Sequence, residues 1–595
     1  MQLSLLDLVI ICAYMLGTLL IGIWVSRQRS NNTEDYFLGG KRIPWWALGV
    51  SNASGMFDIA GTMWLVSMMF VYGLKSAWLP WIWPVFNQIF LMVYLSAWLR
   101  RSNAMTGAEW LASRFGEGKG TQLSHLIVVV FALISAVGFI AYAFKGIGKF
   151  SEVFLPWGWS ADTYALAIFT LTSLYVIKGG MISVVVTEII QFLLMTLAAI
   201  SVGIIAISAI SPDMIAKAVP HGWLELSFGW ELALDWSGVI DSVNDKIASD
   251  GFSLFGLFFM MMLFKGVLSS MAGPVPGYDM QRILACKDAK DAAKMSAVVS
   301  LVMLIPRYMM VVGLAVLALV FMGPDIQSSQ QNFDFEQVLP FAISNFIPVG
   351  LVGLLIAGLL AAFMSTFAAT INAAPAYFVN DIYRRYLRPS ESETHYVKLS
   401  YVVSLLIVIV GVSFGWILDS INEIMQWIFA ALFGGYSAAN ILKWHWWRFN
   451  GYGYFGGMLS GLLASLALPV IYPSLHPLYA FPFLLFAGAV GSIVATLLTP
   501  ADDFNVLSQF YKTVRPWGCW GPVRENVSRL NPETKHASMK KDVFNVLVGI
   551  VWQTSLVLIA MYLVLQLYSA MLLAILVCLS TSYILKRSWY DKLEA

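Results

Sequence analysis

Charge is scarce in this chain. Of its 595 residues 12% are charged and 59% hydrophobic, whereas a soluble globular chain averages about 25% charged residues. That is too little polar surface to coat a water-soluble body of this size, so lipid must cover most of it. Cysteine is just as sparse. Cys12, Cys286, Cys519 and Cys578 are widely spread, with no C-x-x-C spacing, which argues against a disulfide framework or a cysteine metal site. The six histidines (His125, His221, His395, His445, His476 and His536) fall in predicted loops or at span ends, and none forms an H-E-x-x-H pair. No G-x-S-x-G elbow or P-loop occurs either, so no enzyme is expected. The net charge of +2 is uninformative, because positive residues sort by loop, and no nucleic-acid partner is expected.

What the chain does have is long hydrophobic runs. A bilayer core about 30 Å thick needs about 20 apolar residues per helix. On that length, spans are predicted near 5–26, 45–73, 77–99, 124–149, 162–178, 181–210, 252–272 and 294–323. Seven more follow near 348–379, 397–419, 421–443, 453–473, 478–498, 545–565 and 567–586, about 15 in all. The first is not a cleavable signal, since Arg27 and Arg29 follow it and no basic residue precedes it. The loops sort by charge as the positive-inside rule requires. Loops 27–44, 100–123, 380–396 and 499–542 are basic, whereas 211–251 is acidic and 324–347 lacks Lys and Arg. The expectation is a multi-pass protein of the plasma or inner membrane, N-terminus outside and C-terminus cytoplasmic.

No soluble domain interrupts this pattern. The polar stretch 499–542 reads as a cytoplasmic linker without clear periodicity, leading to a terminal helical hairpin. Segment 105–116 reads as a short helix on the inner surface, with Thr106 and Glu109 at capping-box spacing. The tryptophan runs Trp78–Trp83 and Trp444–Trp447 stand at span ends, where interfacial anchors are expected.

Two spans are unusual. The stretch 45–73 is too long for one straight helix, and small and polar residues fill its middle, Ser51-Asn52-Ala53-Ser54-Gly55-Met56-Phe57-Asp58. It is predicted to break there, freeing carbonyls that protein, water or an ion must satisfy. In 348–379, Ala362, Ser365 and Thr366 recur at i, i+3 and i+4, on one helical face. Two hydroxyls and a carbonyl there suit a hard cation; the same spacing also suits a small-residue packing face.

Four ionisable residues fall inside predicted spans: Asp58, Glu188, Lys265 and Arg307. A charge at mid-bilayer costs roughly 3 kcal/mol and is normally paired or functional. These four sum to zero, so ion pairing accounts for them structurally. The functional alternative has Asp58 binding a solute's amine or hydroxyls and Lys265 or Arg307 facing a carboxylate or polyol. Ser269 and Gln426 are further hydrogen-bonding candidates.

Seven stretches, in order, resemble the sodium/solute symporter family, which includes the sodium/glucose and sodium/proline cotransporters. They are Asp35–Lys41 with Trp45-Trp46, Gly107–Gly116, Gly179-Gly180, Thr187–Gln191, Gln281–Lys287, Leu360–Thr366 and Leu442–Gly453. The resemblance implies an all-α, five-plus-five inverted-repeat (LeuT-like) core with extra helices. Its repeats would be 45–210 and 252–443 within a transport core 44–443, preceded by a leading helix in 1–43 and followed by accessory helices in 444–595. It implies a sodium site made by the carbonyls of Ser54, Phe57 and Ala362 and the hydroxyls of Ser365 and Thr366. Some members hold a second sodium with hydroxyls at positions that are Ala368 and Ala369 here, and with an aspartate where this chain has Glu188. A second ion is therefore not expected, though Glu188 stays a candidate for coupling. The chain also departs at Pro276-Gly277, where an Asn-Gln pair is usual, and at Asp58, where sugar carriers have small neutral residues.

The function implied is sodium-driven import of a small solute (sugar, polyol, amino acid or monocarboxylate) by alternating access. A proton-coupled carrier using Asp58 or Glu188 and a sensor that binds solute without moving it are the alternatives.

Overall fold

A computed structural model of the chain describes residues 3–26, 32–82, 86–328, 347–417, 436–472, 477–534 and 536–594, with positions 338, 342, 343 and 475 besides. The principal helices are α1 (Leu5–Ser26), α2 (Trp45–Met56), α3 (Ile59–Tyr72), α4 (Lys119–Phe154) and α5 (Ala161–Ala209). After them come α6 (Tyr278–Ala285), α7 (Ala289–Ser328), α8 (Leu351–Phe378), α9 (Glu393–Ile417), α10 (Gly451–Ile471), α11 (Pro477–Leu498), α12 (Met539–Val564) and α13 (Tyr568–Ser588). Nine helices of the described residues are long and apolar enough to cross a membrane, ten when the bent pair α2/α3 is one span. The fold is all-helical and multi-pass. Predicted span 77–99 opens in short turns, Gly73–Ala77 and Leu79–Ile82, and 252–272 holds a 17-residue apolar helix, Phe255–Met271. Most of predicted span 421–443 lies outside the described residues.

The core is built around α5, which touches α1, α2, α4, α7 and α8. Gly180 (φ 60, ψ −164) divides α5 in two, as the two predicted spans require. A Cβ there would meet the Tyr36 carbonyl oxygen at 2.9 Å, and the Tyr36 hydroxyl donates to the Ile177 carbonyl at 2.8 Å. The stretch after the first span is thus docked on the kink. Outside the core, α10 pairs with α11 and α12 with α13.

Three expectations are corrected by packing. Helix Gly107–Phe115 is capped by Thr106 as predicted, but it is largely interior, with Trp110, Leu111 and Arg114 buried. The Arg114 guanidinium donates to the carbonyls of Lys443 (3.0 Å), Trp446 (3.1 Å) and Phe449 (3.1 Å), groups a helix end leaves without partners. Residues 499–542 are no plain linker. They form helices Phe504–Val514 and Gly521–Leu530, whose Leu507, Phe510, Tyr511, Val514, Val523 and Val527 are buried. Trp444 is no interfacial anchor: 1% exposed, it packs against Trp98 and Trp110.

The acidic segment 211–251 folds over the end of α3. Indole N–H groups of Trp223 and Trp236 donate to the carbonyls of Phe70 (3.0 Å) and Val71 (3.2 Å). Gly73 turns the chain there with φ +58, and a Cβ would stand 2.2 Å from the Trp223 carbonyl oxygen. Gly73→Ala should therefore destabilise the protein by about 1–2 kcal/mol or more. It should lower the thermal midpoint in detergent; an unchanged midpoint would contradict this packing.

Candidate functional site

The first unusual span does break. Helices α2 and α3 are bent by 65° about Phe57-Asp58. The local cause is legible in the residues. Ser54 and Gly55 are poor helix formers, and Asp58 is an N-cap, its carboxylate accepting from Gly61 N–H at 2.8 Å.

The break meets α8 at Thr366, one of the two predicted hydroxyls. The Thr366 hydroxyl donates to the Gly55 carbonyl at 2.8 Å and lies 3.1 Å from the Ala362 carbonyl oxygen. The Ser54 hydroxyl is buried without a hydrogen-bond partner, and the Ser54 carbonyl accepts from Phe57 N–H at 3.2 Å. Ser365 is fully buried and reaches Glu188 at 3.5 Å. The Gly55 and Ala362 carbonyls and the Thr366 hydroxyl therefore meet at the break, with the Ser54 hydroxyl buried one residue before Gly55 and the Ser365 hydroxyl directed to Glu188. A hydroxyl that donates one hydrogen bond keeps lone pairs to offer a cation, so this oxygen set fits a sodium ion.

Of the four ionisable residues expected inside spans, Asp58 and Arg307 pair with each other and Glu188 has an unexpected partner. Glu188 is held by Arg282 at 2.9 and 3.0 Å and by the Ser51 hydroxyl, both ions being fully buried. Arg282 also donates to the Gln281 side chain at 3.0 Å. Asp58 accepts from Tyr142 (3.0 Å) and pairs with Arg307 (3.3 Å), which also donates to the Met56 carbonyl at 3.1 Å. Arg307 thus neutralises both loose ends of the break. Lys265 is half-buried in the π-turn Met261–Val267, and Ser269 is buried one turn on, its hydroxyl without a partner. Gln426 lies outside the described residues.

Beside the break is a cavity of about 150 Å³, lined among others by Met56, Asn87, Ser135, Tyr278, Asp279 and Thr370. Asp58, Lys265, Ser269 and Arg307 are not in its wall. Its carboxylate, Asp279, escaped the reading of the sequence. A lone acid following Pro276-Gly277, immediately before the Gln281-Arg282 pair, was the available signal.

Residues 36–461 match the family model described as the sodium:solute symporter family. The chain belongs to that family. As a symporter of this kind it couples the passage of a solute to sodium. Its relatives include a sodium/mannose cotransporter of Bos taurus, 26% identical over 560 residues, covering 84% of this chain and 87% of the relative. A sodium/proline symporter of Haemophilus influenzae is 25% identical, covering 86% of this chain and 98% of the relative. A sodium/glucose cotransporter of Vibrio parahaemolyticus is 24% identical, with 72% and 77% covered. Among solved structures, a sodium-coupled sialic acid symporter in a substrate-bound outward-open state superposes with a TM-score of 0.65 at 20% identity. It covers 84% of this chain and 98% of that one, a likeness of fold. The symporter's core is the five-plus-five inverted-repeat arrangement, with further helices outside it.

Proposed function

We propose that one sodium ion binds between α2 and α8, on the carbonyls of Ser54, Phe57 and Ala362 and the hydroxyls of Ser365 and Thr366. Sodium there stabilises the arrangement in which the solute chamber beside the break is complete. The 2.8 Å contact of Thr366 with Gly55 carries this reading, because it joins the two elements the ion must bridge. A ligand shifts a conformational equilibrium only by its differential affinity. A cation ligated by both helices has that differential, since separating them removes half its oxygens. Glu188 is engaged by Arg282, and Ala368 and Ala369 offer no hydroxyl, which supports a single sodium per cycle.

With the N-terminus outside and the C-terminus in the cytoplasm, the cavity walls of α2, α4, α6 and α8 belong to the inner half, and segment 211–251 closes the outer end of α3. That supports a chamber reached from the cytoplasm in this conformation. The membrane potential, about 2.3 kcal/mol per charge per 100 mV, then drives sodium inward. The cargo is a small organic solute, as in the relatives named for mannose, glucose and proline. The test is uptake of a solute panel into proteoliposomes under an inward sodium gradient, with potassium as control. Uptake of at least one solute should need sodium. Uptake that follows a pH gradient without sodium would contradict the reading.

Asp58 and Arg307 hold the break together here. Asp58→Asn keeps the cap acceptor but removes the counter-charge of Arg307, a charged hydrogen bond worth about 1.5–3 kcal/mol. Uptake should fall roughly tenfold or more with the order of solute preference unchanged. A changed preference would place Asp58 against the solute.

A further inference from the structure

We propose that the chamber beside the break selects a small organic cation, a protonated amine lacking a carboxylate, with Asp279 as its counter-ion. The proposal rests on the cavity being the symporter's solute chamber and names the solute's chemistry.

Asp279 receives three amide groups: Asn52 at 2.6 Å, Asn87 at 3.2 Å and Gln88 at 3.4 Å. All three amides turn their N–H groups to the carboxylate, and all three amide oxygens are buried without a donor. Among the described residues, no basic side chain lies within salt-bridge distance of Asp279.

The hydroxyls of the wall also direct their protons elsewhere, that of Tyr377 to the Met280 sulfur at 3.8 Å. The Ser135 hydroxyl donates to the Phe131 carbonyl at 2.6 Å and Thr370 to the Thr366 carbonyl at 2.9 Å. Tyr278 donates to the Gly55 carbonyl at 3.3 Å. Of the three amides only Asn87 lines the cavity, so what faces it is the Asp279 carboxylate with the Asn87 amide and the hydroxyl oxygens of Ser135, Tyr278 and Thr370 beside it. An ammonium has three donors and no acceptor, so it meets the carboxylate and these oxygens with donors alone.

A polyol would bring lone pairs that the wall's hydroxyls, their protons already placed, do not meet, and no positive charge for Asp279. A carboxylate would face Asp279, and like charges at such a site exclude one another. The N-terminal turn of α6, where an anion is otherwise welcome, already carries Asp279 itself. The cavity's volume of about 150 Å³ matches that of a site accepting one six-membered ring.

Three ring compounds of one shape test this: cyclohexylamine, cyclohexanol and cyclohexanecarboxylate. Each is titrated by calorimetry into the purified full chain in detergent with saturating sodium chloride at neutral pH. Cyclohexylammonium should bind at least about tenfold more tightly than the other two, and Asp279→Asn should reduce the difference to about twofold or less. Equal or tighter binding of the alcohol or the carboxylate to the unaltered chain would overturn the proposal without recourse to any variant. So would an ammonium preference that survives in Asp279→Asn, or the absence of binding by all three. The sodium-induced rise in thermal midpoint, recorded without ring compounds, separates the two readings. If it is absent, the sodium site fails; if it is present while the ammonium preference is not, only the solute class fails.

Discussion

Arg282→Gln should be among the most damaging single substitutions in this chain, costing about 3–5 kcal/mol of stability. Glu188 and Arg282 are both fully buried and face each other at 2.9 Å. Removing the guanidinium leaves a carboxylate with only the hydroxyls of Ser51 and Ser365 against it. An uncompensated charge in that position is far more costly than the loss of a neutral hydrogen bond. The double variant Glu188→Gln, Arg282→Gln has no unpaired charge and should recover much of the loss. The readout is the yield of monodisperse protein and its thermal midpoint. Arg282→Gln behaving like the unaltered chain would mean that Glu188 is satisfied some other way. Because Ser365 touches Glu188, the double variant should also alter sodium affinity.

The second large effect concerns the ion itself. Thr366→Val keeps the shape of the side chain and removes the hydroxyl that donates to Gly55. Ser365→Ala removes its neighbour. Each deletes one oxygen from a cation's shell, a charged interaction worth about 1.5–3 kcal/mol, so half-saturating sodium for uptake should rise roughly ten- to a hundredfold. Maximal uptake at high sodium should survive better than affinity, since neither residue lines the solute cavity. Unchanged sodium dependence in both variants would remove these hydroxyls from the ion's shell.

The features legible in the sequence were local ones. A run of Ser, Asn, Gly and Asp inside an apolar stretch announced the break, and i, i+3, i+4 spacing put Ala362, Ser365 and Thr366 on one face. Thr106 announced its cap. What escaped was non-local or masked by polarity. Asn52 and Asp279 are 227 positions apart, and nothing in either neighbourhood points to the other. Arg282 falls between predicted spans because α6 is too short to read as one, so nothing in the sequence pairs it with Glu188. Helix Phe504–Val514 has its apolar positions at 507, 510, 511 and 514, a helical period hidden within a stretch that is polar on average. Trp444 resembled an interfacial anchor because it ends a span, yet the elements that bury it come from residues 98, 110 and 520.

Equilibrium binding of radioactive sodium to the purified chain tests the central claim most directly. The unaltered protein should bind about one sodium per chain, saturably and without displacement by potassium, and the Ser365→Ala, Thr366→Ala double variant should lose that binding while keeping its monodisperse fold. A double variant that binds sodium as tightly as the unaltered chain would show that the ion does not lie between the broken helix and α8.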